Sequence, residues 1–201
     1  MNFANGRHCT AFEGTKRIAS GDLKHVALKV KAVIDRGERE PVLIFDDITS
    51  EPIEVDFRGT AQAVLNRLPI PAAPAVAEPR EEESRRPGRP RLGVVAREVT
   101  LLPRHWDWLN SQPGGASVAL RKLVEEARRL NVGKDRVRMA QEAAYRFMSA
   151  MAGNEPGFEE AIRALFAGKP GRFDELVAAW PIDVRDHARR LASGAFQEAR
   201  T

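Results

Sequence analysis

The first third of the chain alternates between the hydrophobic spacing of strands and that of helices. Residues 7–12 and 16–19 have strand character, and residues 13–15 between them predict a hairpin turn. After Asp22 the apolar residues return every three or four positions through residue 36. This spacing predicts a helix that Asp22 caps and Gly37 ends.

Two further strands and a short helix are predicted before residue 69. Residues 42–45 are all apolar, as in a buried strand, whereas residues 53–57 alternate between apolar and acidic side chains, as in a strand with one wet face. A helix over residues 60–68 follows. The order ββαββα predicts a small α+β domain over residues 1–68.

Residues 69–95 have the composition of a linker. Proline and alanine dominate residues 69–79, three glutamates follow at 81–83, and an arginine-proline tract begins at Arg85. Such residues bury little, and proline favours extended chain. We therefore expect a flexible, disordered segment between two folded parts.

The remaining residues, 96–201, predict a mostly helical domain. It opens with a short strand over residues 97–102, and two helix-like segments follow on either side of residues 113–117. Ser117 is the expected cap of a helix over residues 118–130. The helices predicted beyond it cover residues 134–151, 158–167, 172–180 and 183–199. The predicted fold class is thus α+β, with a ββαββα unit, a Pro/Arg linker, and a C-terminal domain that begins with a strand.

Positive charge is concentrated in the middle of the chain. The net charge of the whole chain is +4, yet residues 85–138 contain thirteen Lys and Arg against five Asp and Glu, a net charge of +8. A block of this kind attracts polyanions, above all nucleic acid. Basic side chains that simply solvate exposed helices are the alternative interpretation.

The composition also limits location and chemistry. One cysteine, Cys9, fits a reducing compartment, and no apolar run has the length of a signal peptide or a membrane span. We expect a cytoplasmic protein that does not contact membranes. The four histidines lie far apart and no nucleotide-binding glycine loop is present, so we expect neither an enzyme nor a cofactor or metal. Asp46-Asp47 fits a polar turn better than a magnesium site.

The central arginine tract resembles an AT-hook. Gly88-Arg89-Pro90 matches the core of that motif, with Arg86 and Arg91 on either side, although Pro87 stands where the usual hook has a basic residue. The resemblance implies that Arg89 lies along the minor groove of A·T-rich DNA, where guanidinium groups insert readily.

Residues 97–129 resemble the ribbon-helix-helix family of DNA-binding dimers. The match comprises residues 99–103 as the strand and its exit, 104–111 and 120–127 as the helices, and 115–117 as the turn. The resemblance implies a homodimer with paired strands in the major groove. It also implies that Ser117 and Val118 bind phosphate at the start of the second helix.

Most of the chain is similar to a bacterial family of unknown function. The similarity rests on residues 101–109, residues 114–117 and the segment 180–191, which begins Trp180-Pro181. It implies a bacterial, cytoplasmic origin and no particular activity.

These observations favour a DNA-binding protein, either transcription-regulatory or nucleoid-associated. The nucleic-acid-binding residues expected are Arg85, Arg86, Arg89, Arg91, Arg97, Thr100, Arg104 and Ser117. A non-enzymatic protein-interaction module is the alternative. An enzyme would need a deep pocket lined by Asp46, Asp47 or His25.

Overall fold

The computed structural model describes residues 8–37, 40–68 and 97–200. Contacts divide the chain into a first unit, residues 1–71 with 133–201, and a second unit, residues 72–132. The sequence predicts one domain over 1–68 and another over 96–201, whereas in the structure residues 133–201 share a unit with the N-terminal residues. The predicted linker, 69–95, lies outside the described residues.

The first unit contains a three-stranded antiparallel sheet in the order β2-β1-β3. The strands are β1 (His8–Glu13), β2 (Lys16–Asp22) and β3 (Val42–Asp46). The predicted hairpin is confirmed, and it turns at Gly14 and Thr15. Helix α1 (Leu23–Asp35) follows β2 directly, because the Asp22 carboxylate accepts hydrogen bonds from the amides of Lys24 and His25.

The fourth strand, predicted over residues 53–57, is absent from the described structure. A single isolated bridge joins Phe45 to Pro52, and Ile53 donates one hydrogen bond to the carbonyl of Ile44. The Asp46 amide donates a second hydrogen bond to the carbonyl of Glu51, and the pairing extends no further among the described residues. Alternation alone therefore gave a wrong strand. The short helix after it does form, as α2 (Ala61–Arg67).

The helices of the C-terminal part follow the predicted order with shifted ends. They are α5 (Phe158–Phe166), α6 (Pro170–Val177) and α7 (Ile182–Ala192). The last predicted helix stops at Ala192 and continues as a 3-10 helix, Ser193–Arg200.

The sheet of the first unit is covered on both faces. Successive side chains of a strand point to opposite sides, so Cys9 and Ala11 of β1 pack with α1, while Phe12 packs with the C-terminal helices. In β3, Ile44 likewise packs on the α1 side and Phe45 packs with the C-terminal helices. This shared core explains why residues 133–201 belong to the same unit as the sheet.

The second unit contains α3 (Pro103–Ser111) and the first part of α4 (Gly115–Met151). Two expectations are wrong here. Residues 97–102 form no strand in the single chain, because none of the described strands pairs with them. The helices predicted over 118–130 and 134–151 are one helix of 37 residues. A glycine inside a helix costs only about 1 kcal/mol, so Gly133 does not end α4.

Candidate nucleic-acid interface

Four of the expected DNA-binding residues lie outside the described part of the chain. They are Arg85, Arg86, Arg89 and Arg91, and with them lies the whole AT-hook-like motif. The other four, Arg97, Thr100, Arg104 and Ser117, belong to the second unit.

Two glycines make the turn that joins α3 to α4. Gly114 and Gly115 have φ angles of 87° and 74°, which favour glycine over any other residue. A Cβ atom on Gly114 would also lie 3.2 Å from side-chain atoms of Val118. The Gly115 amide donates to the carbonyl of Gln112 at 2.9 Å. The Gly-Gly pair thus has a local structural role in starting α4.

Ser117 lies in the first turn of α4, not at its cap. The helix begins two residues earlier, at Gly115, and the exposed Ser117 contributes a backbone carbonyl that accepts from Nε of Arg121 at 3.0 Å. The first amides of a helix have no carbonyl partner within the helix, so they favour an anion. Ser117 is therefore placed where the ribbon-helix-helix resemblance puts a phosphate contact, although the predicted capping role is wrong.

The remaining expected residues are all exposed. Arg97 and Thr100 lie on the irregular segment before α3, and Arg104 lies in the first turn of α3. Val99 and Leu102 beside them are also exposed, at 56% and 50%. The structure brings these residues into one segment of the second unit without forming the strand that would align them.

The first part of α4 has two faces of different chemistry. At 100° per residue, one side carries the apolar face, which we define as Leu120, Leu123, Val124, Ala127 and Leu130. The opposite side carries the basic face, which we define as Arg121, Lys122, Arg128 and Arg129. Every residue from 121 to 130 is exposed, so both faces are open to solvent in the single chain.

Carboxylates neutralise little of this positive charge. Arg128 pairs with Glu125 at 3.1 Å, and both side chains are at least 70% exposed, so the pair is weak. Among the described residues, no carboxylate pairs with Arg97, Arg104, Arg121, Lys122 or Arg129. These cations remain available to an external anion.

A second polar cluster, in the first unit, joins the sheet to α7. The Asp47 carboxylate accepts from Oγ1 of Thr10 at 2.6 Å and from Nη2 of Arg190 at 3.1 Å. Thr10 also bonds the hydroxyl of Ser20 at 2.9 Å. The sheet side of the cluster is buried, since Thr10 is 1% exposed and the Asp47 side chain 12%, whereas the Arg190 side chain is half exposed.

His187 forms the inner wall of this cluster. Its ring packs against Phe147, with centroids 4.4 Å apart, and edge-on to Phe12 at 5.2 Å. Nη2 of Arg190 lies 3.2 Å from Nδ1 and 3.3 Å from Nε2. An atom so nearly equidistant from both nitrogens would collide with Cε1 in the ring plane, so it lies over the ring face. Burial, and then the Arg190 charge, lower the pKa of His187 to about 4.

Asp46 ends β3 in a polar turn, as the sequence analysis expects of Asp46-Asp47. Its Oδ1 accepts from the amides of Ile48 and Thr49, both at 2.9 Å. Within residues 8–37, 40–68 and 97–200, no group of three or more His, Cys, Asp or Glu side chains could hold a metal ion. A surface cavity of about 320 Å³ in the first unit is lined by other residues, Glu142, Tyr145, Arg146, Ser149 and Phe166.

No sequence pattern indicates the contact between Asp47 and Arg190. The two residues are 143 positions apart, and neither the Asp46-Asp47 pair nor the segment 180–191 predicts that they meet. The environment of His187 could not be predicted from the sequence either, because its aromatic and charged neighbours come from a strand and two helices.

Sequence comparison places the chain in a known family. The matching profile covers residues 8–192, which is most of the chain, and its description is "Uncharacterized protein conserved in bacteria". The chain belongs to the family DUF2239. The resemblance to a bacterial family of unknown function is thereby confirmed. No curated protein and no solved structure matches the chain. Among the described helices, none is long and apolar enough to cross a membrane.

Proposed function

We propose that this DUF2239 protein is a non-enzymatic, cytoplasmic DNA-binding protein that acts in transcription or in nucleoid organisation. Its central basic block, residues 85–138, supplies the binding energy through contacts with phosphate. Recognition of sequence is a smaller contribution, made by Arg89 and its neighbours in the minor groove of A·T-rich DNA.

The observation that carries the proposal is the separation of charge. Residues 85–138 have a net charge of +8, and the rest of the chain has −4. In the described part of that block, Arg97, Arg104 and the four residues of the basic face are all exposed. Exposed cations without carboxylate partners release counterions from DNA when they bind, and this release dominates non-specific affinity.

The start of α4 supports the same proposal. The amides that follow Gly115 in its first turn and the exposed Ser117 lie at the positive end of the helix dipole, a few residues before the basic face. A second copy would give residues 97–102 the strand partner that the single chain lacks. A homodimer of this kind would present two such helix ends to the DNA.

The test is a titration of fluorescent duplexes with the full chain. Wild-type protein should bind an A·T-rich duplex more tightly than a G·C-rich duplex of equal length. Replacing Arg86, Arg89 and Arg91 together by Ala should remove that preference and lower affinity by at least about tenfold at moderate salt.

A second variant tests the described surface. R121A/R129A should lower affinity for both duplexes alike, since phosphate contacts do not read sequence. The matched control is R163A/R172A, which removes two exposed arginines of α5 and α6 that already pair with Glu160 and Glu175. Equal loss in the control and in R121A/R129A would count against a dedicated interface, and absence of binding at low salt would refute the proposal.

The alternative function, a protein-interaction module, has its own supporting observation. The apolar face of α4 exposes Leu123, Val124 and Leu130, each at 43% or more. Apolar side chains grouped in this way favour a protein partner. Elution of the purified protein with a stoichiometric foreign protein and without nucleic acid would favour this alternative.

A further inference from the structure

We propose that the apolar face of α4 binds the same face of a second copy, with the two helices antiparallel and the two-fold axis between these faces at the level of residue 125. The interface does not depend on DNA binding, and it is distinct from any pairing of residues 97–102. Its partner is a second copy of this chain.

The second unit needs such a partner to bury its apolar side chains. In its described part, residues 97–132, only two apolar residues are buried, Leu109 and Ala119. Leu123, Val124 and Leu130 are 43%, 62% and 68% exposed. So few buried residues cannot stabilise a unit of this size, and helices gain most of their stability by packing an apolar face.

The spacing of the apolar face is that of a helix pair. Leu120, Leu123, Ala127 and Leu130 are separated by three, four and three residues, which is the repeat that keeps one stripe facing a partner helix. A two-fold axis at the level of residue 125 sets Leu120 opposite the second copy's Leu130. It also sets Leu123 opposite the second copy's Ala127. All four resulting layers contain only Leu and Ala, so the face is complementary to itself.

Lys134 disfavours two competing arrangements. It occupies the next position of the same stripe. In a parallel pair Lys134 would face Lys134 of the second copy, and these like charges would repel. In an antiparallel pair shifted by one repeat it would lie opposite Leu123 and bury its charge, which is costly. With the axis at the level of residue 125, Lys134 neither faces its equivalent nor lies opposite Leu123.

The charges of Glu126, at the border of the apolar face, and of Lys122, at the near edge of the basic face, also fit two antiparallel copies. Glu126 and Lys122 lie on the same side of the helix, and an antiparallel two-fold brings that side of both helices together. Each Glu126 then lies near the second copy's Lys122, which offsets the approach of the two Glu126 carboxylates across the axis. Val124 of both copies meets on the other side.

The first test measures mass in solution by light scattering, in high salt and without DNA. Wild type should have twice the mass of one chain. L123E/L130E should have the mass of one chain, whereas V132E should remain a dimer, because Val132 is 50% exposed but lies opposite the apolar face. Circular dichroism confirms that each variant is folded. A wild-type monomer at all concentrations, or a V132E monomer, would overturn the proposal.

The second test identifies the antiparallel arrangement. E126K alone and K122E alone should each weaken dimerisation by about tenfold, because like charges then meet. A mixture of the two variants should dimerise at least as well as wild type. In a parallel pair the side chains at positions 122 and 126 would face the side of the partner helix that carries Val124. Mixing the two variants would then not restore dimerisation. Failure of the mixture to recover would therefore contradict the proposal, whatever the outcome of the DNA titrations.

Discussion

His187 and Asp47 show how single residues join the two halves of the first unit. Asp47 lies just after β3 and reaches Arg190 on α7, while the neutral His187 fills the space between Phe12, Phe147 and Arg190. Neither contact can form until the sheet and the C-terminal helices meet. The cluster is consequently a sensitive measure of whether the unit is intact.

Stability should fall as the pH is lowered from about 6.5 to about 4. The unfolded His187 takes up a proton near pH 6.5, whereas the folded residue, buried beside Arg190, does so only near its pKa of about 4. The unfolded state therefore binds more protons in this window. The loss is roughly 3 kcal/mol at about 1.4 kcal/mol per pH unit.

Urea unfolding at a series of pH values measures this effect. H187Q should be less stable at pH 7 but should lose less stability between pH 6.5 and 4 than wild type does. The control H105Q replaces an exposed histidine and should follow the wild-type curve. A wild-type curve that is parallel to that of H187Q would show that His187 is not the residue responsible.

Removing the Asp47 carboxylate should destabilise the first unit. D47A removes one hydrogen-bond partner of the buried Thr10 and the ion-pair partner of the half-exposed Arg190, which together costs about 1–2 kcal/mol. The matched control is E175A, which removes an exposed pair with Arg172 and should change stability by less than about 1 kcal/mol. Chemical denaturation compares the two, and equal effects would mean that the cluster adds nothing beyond an exposed ion pair.

The elements show where sequence patterns succeed and where they fail. Asp22 and Gly37 define the ends of α1 correctly, because a capping carboxylate and a residue with a φ of 80° act locally. The strand over 53–57 fails because a ladder depends on a partner. The break expected near Gly133 fails because Leu130 and Val137 lie seven residues apart, which keeps the stripes on both sides in phase.

A proline substitution tests the continuity of α4. V132P should lower the free energy of unfolding by about 3 kcal/mol, because proline removes a hydrogen bond and clashes with the preceding turn. The control V132A should be nearly neutral, since Val132 is half exposed. If V132P is as stable as V132A, residues 131–133 form a loop between two separate helices.

At the scale of the whole molecule, the sequence predicts the fold class but not the grouping of its parts. The α+β class follows from local spacing. The shared core depends on the covering of Phe12 and Phe45, on the face of the sheet away from α1, by residues 143–195, which come about a hundred or more positions later in the chain. The basic block could be located from the sequence alone, because counting a net charge of +8 over residues 85–138 requires no knowledge of contacts.

The proposed function depends on the binding of this basic block to DNA phosphates. The most direct measurement is the affinity of the full-length protein for an A·T-rich duplex over a range of salt concentrations. We expect log K to fall linearly with log salt, with a slope of about −4 or steeper. Binding that is independent of salt, or no binding at the lowest salt, would contradict it.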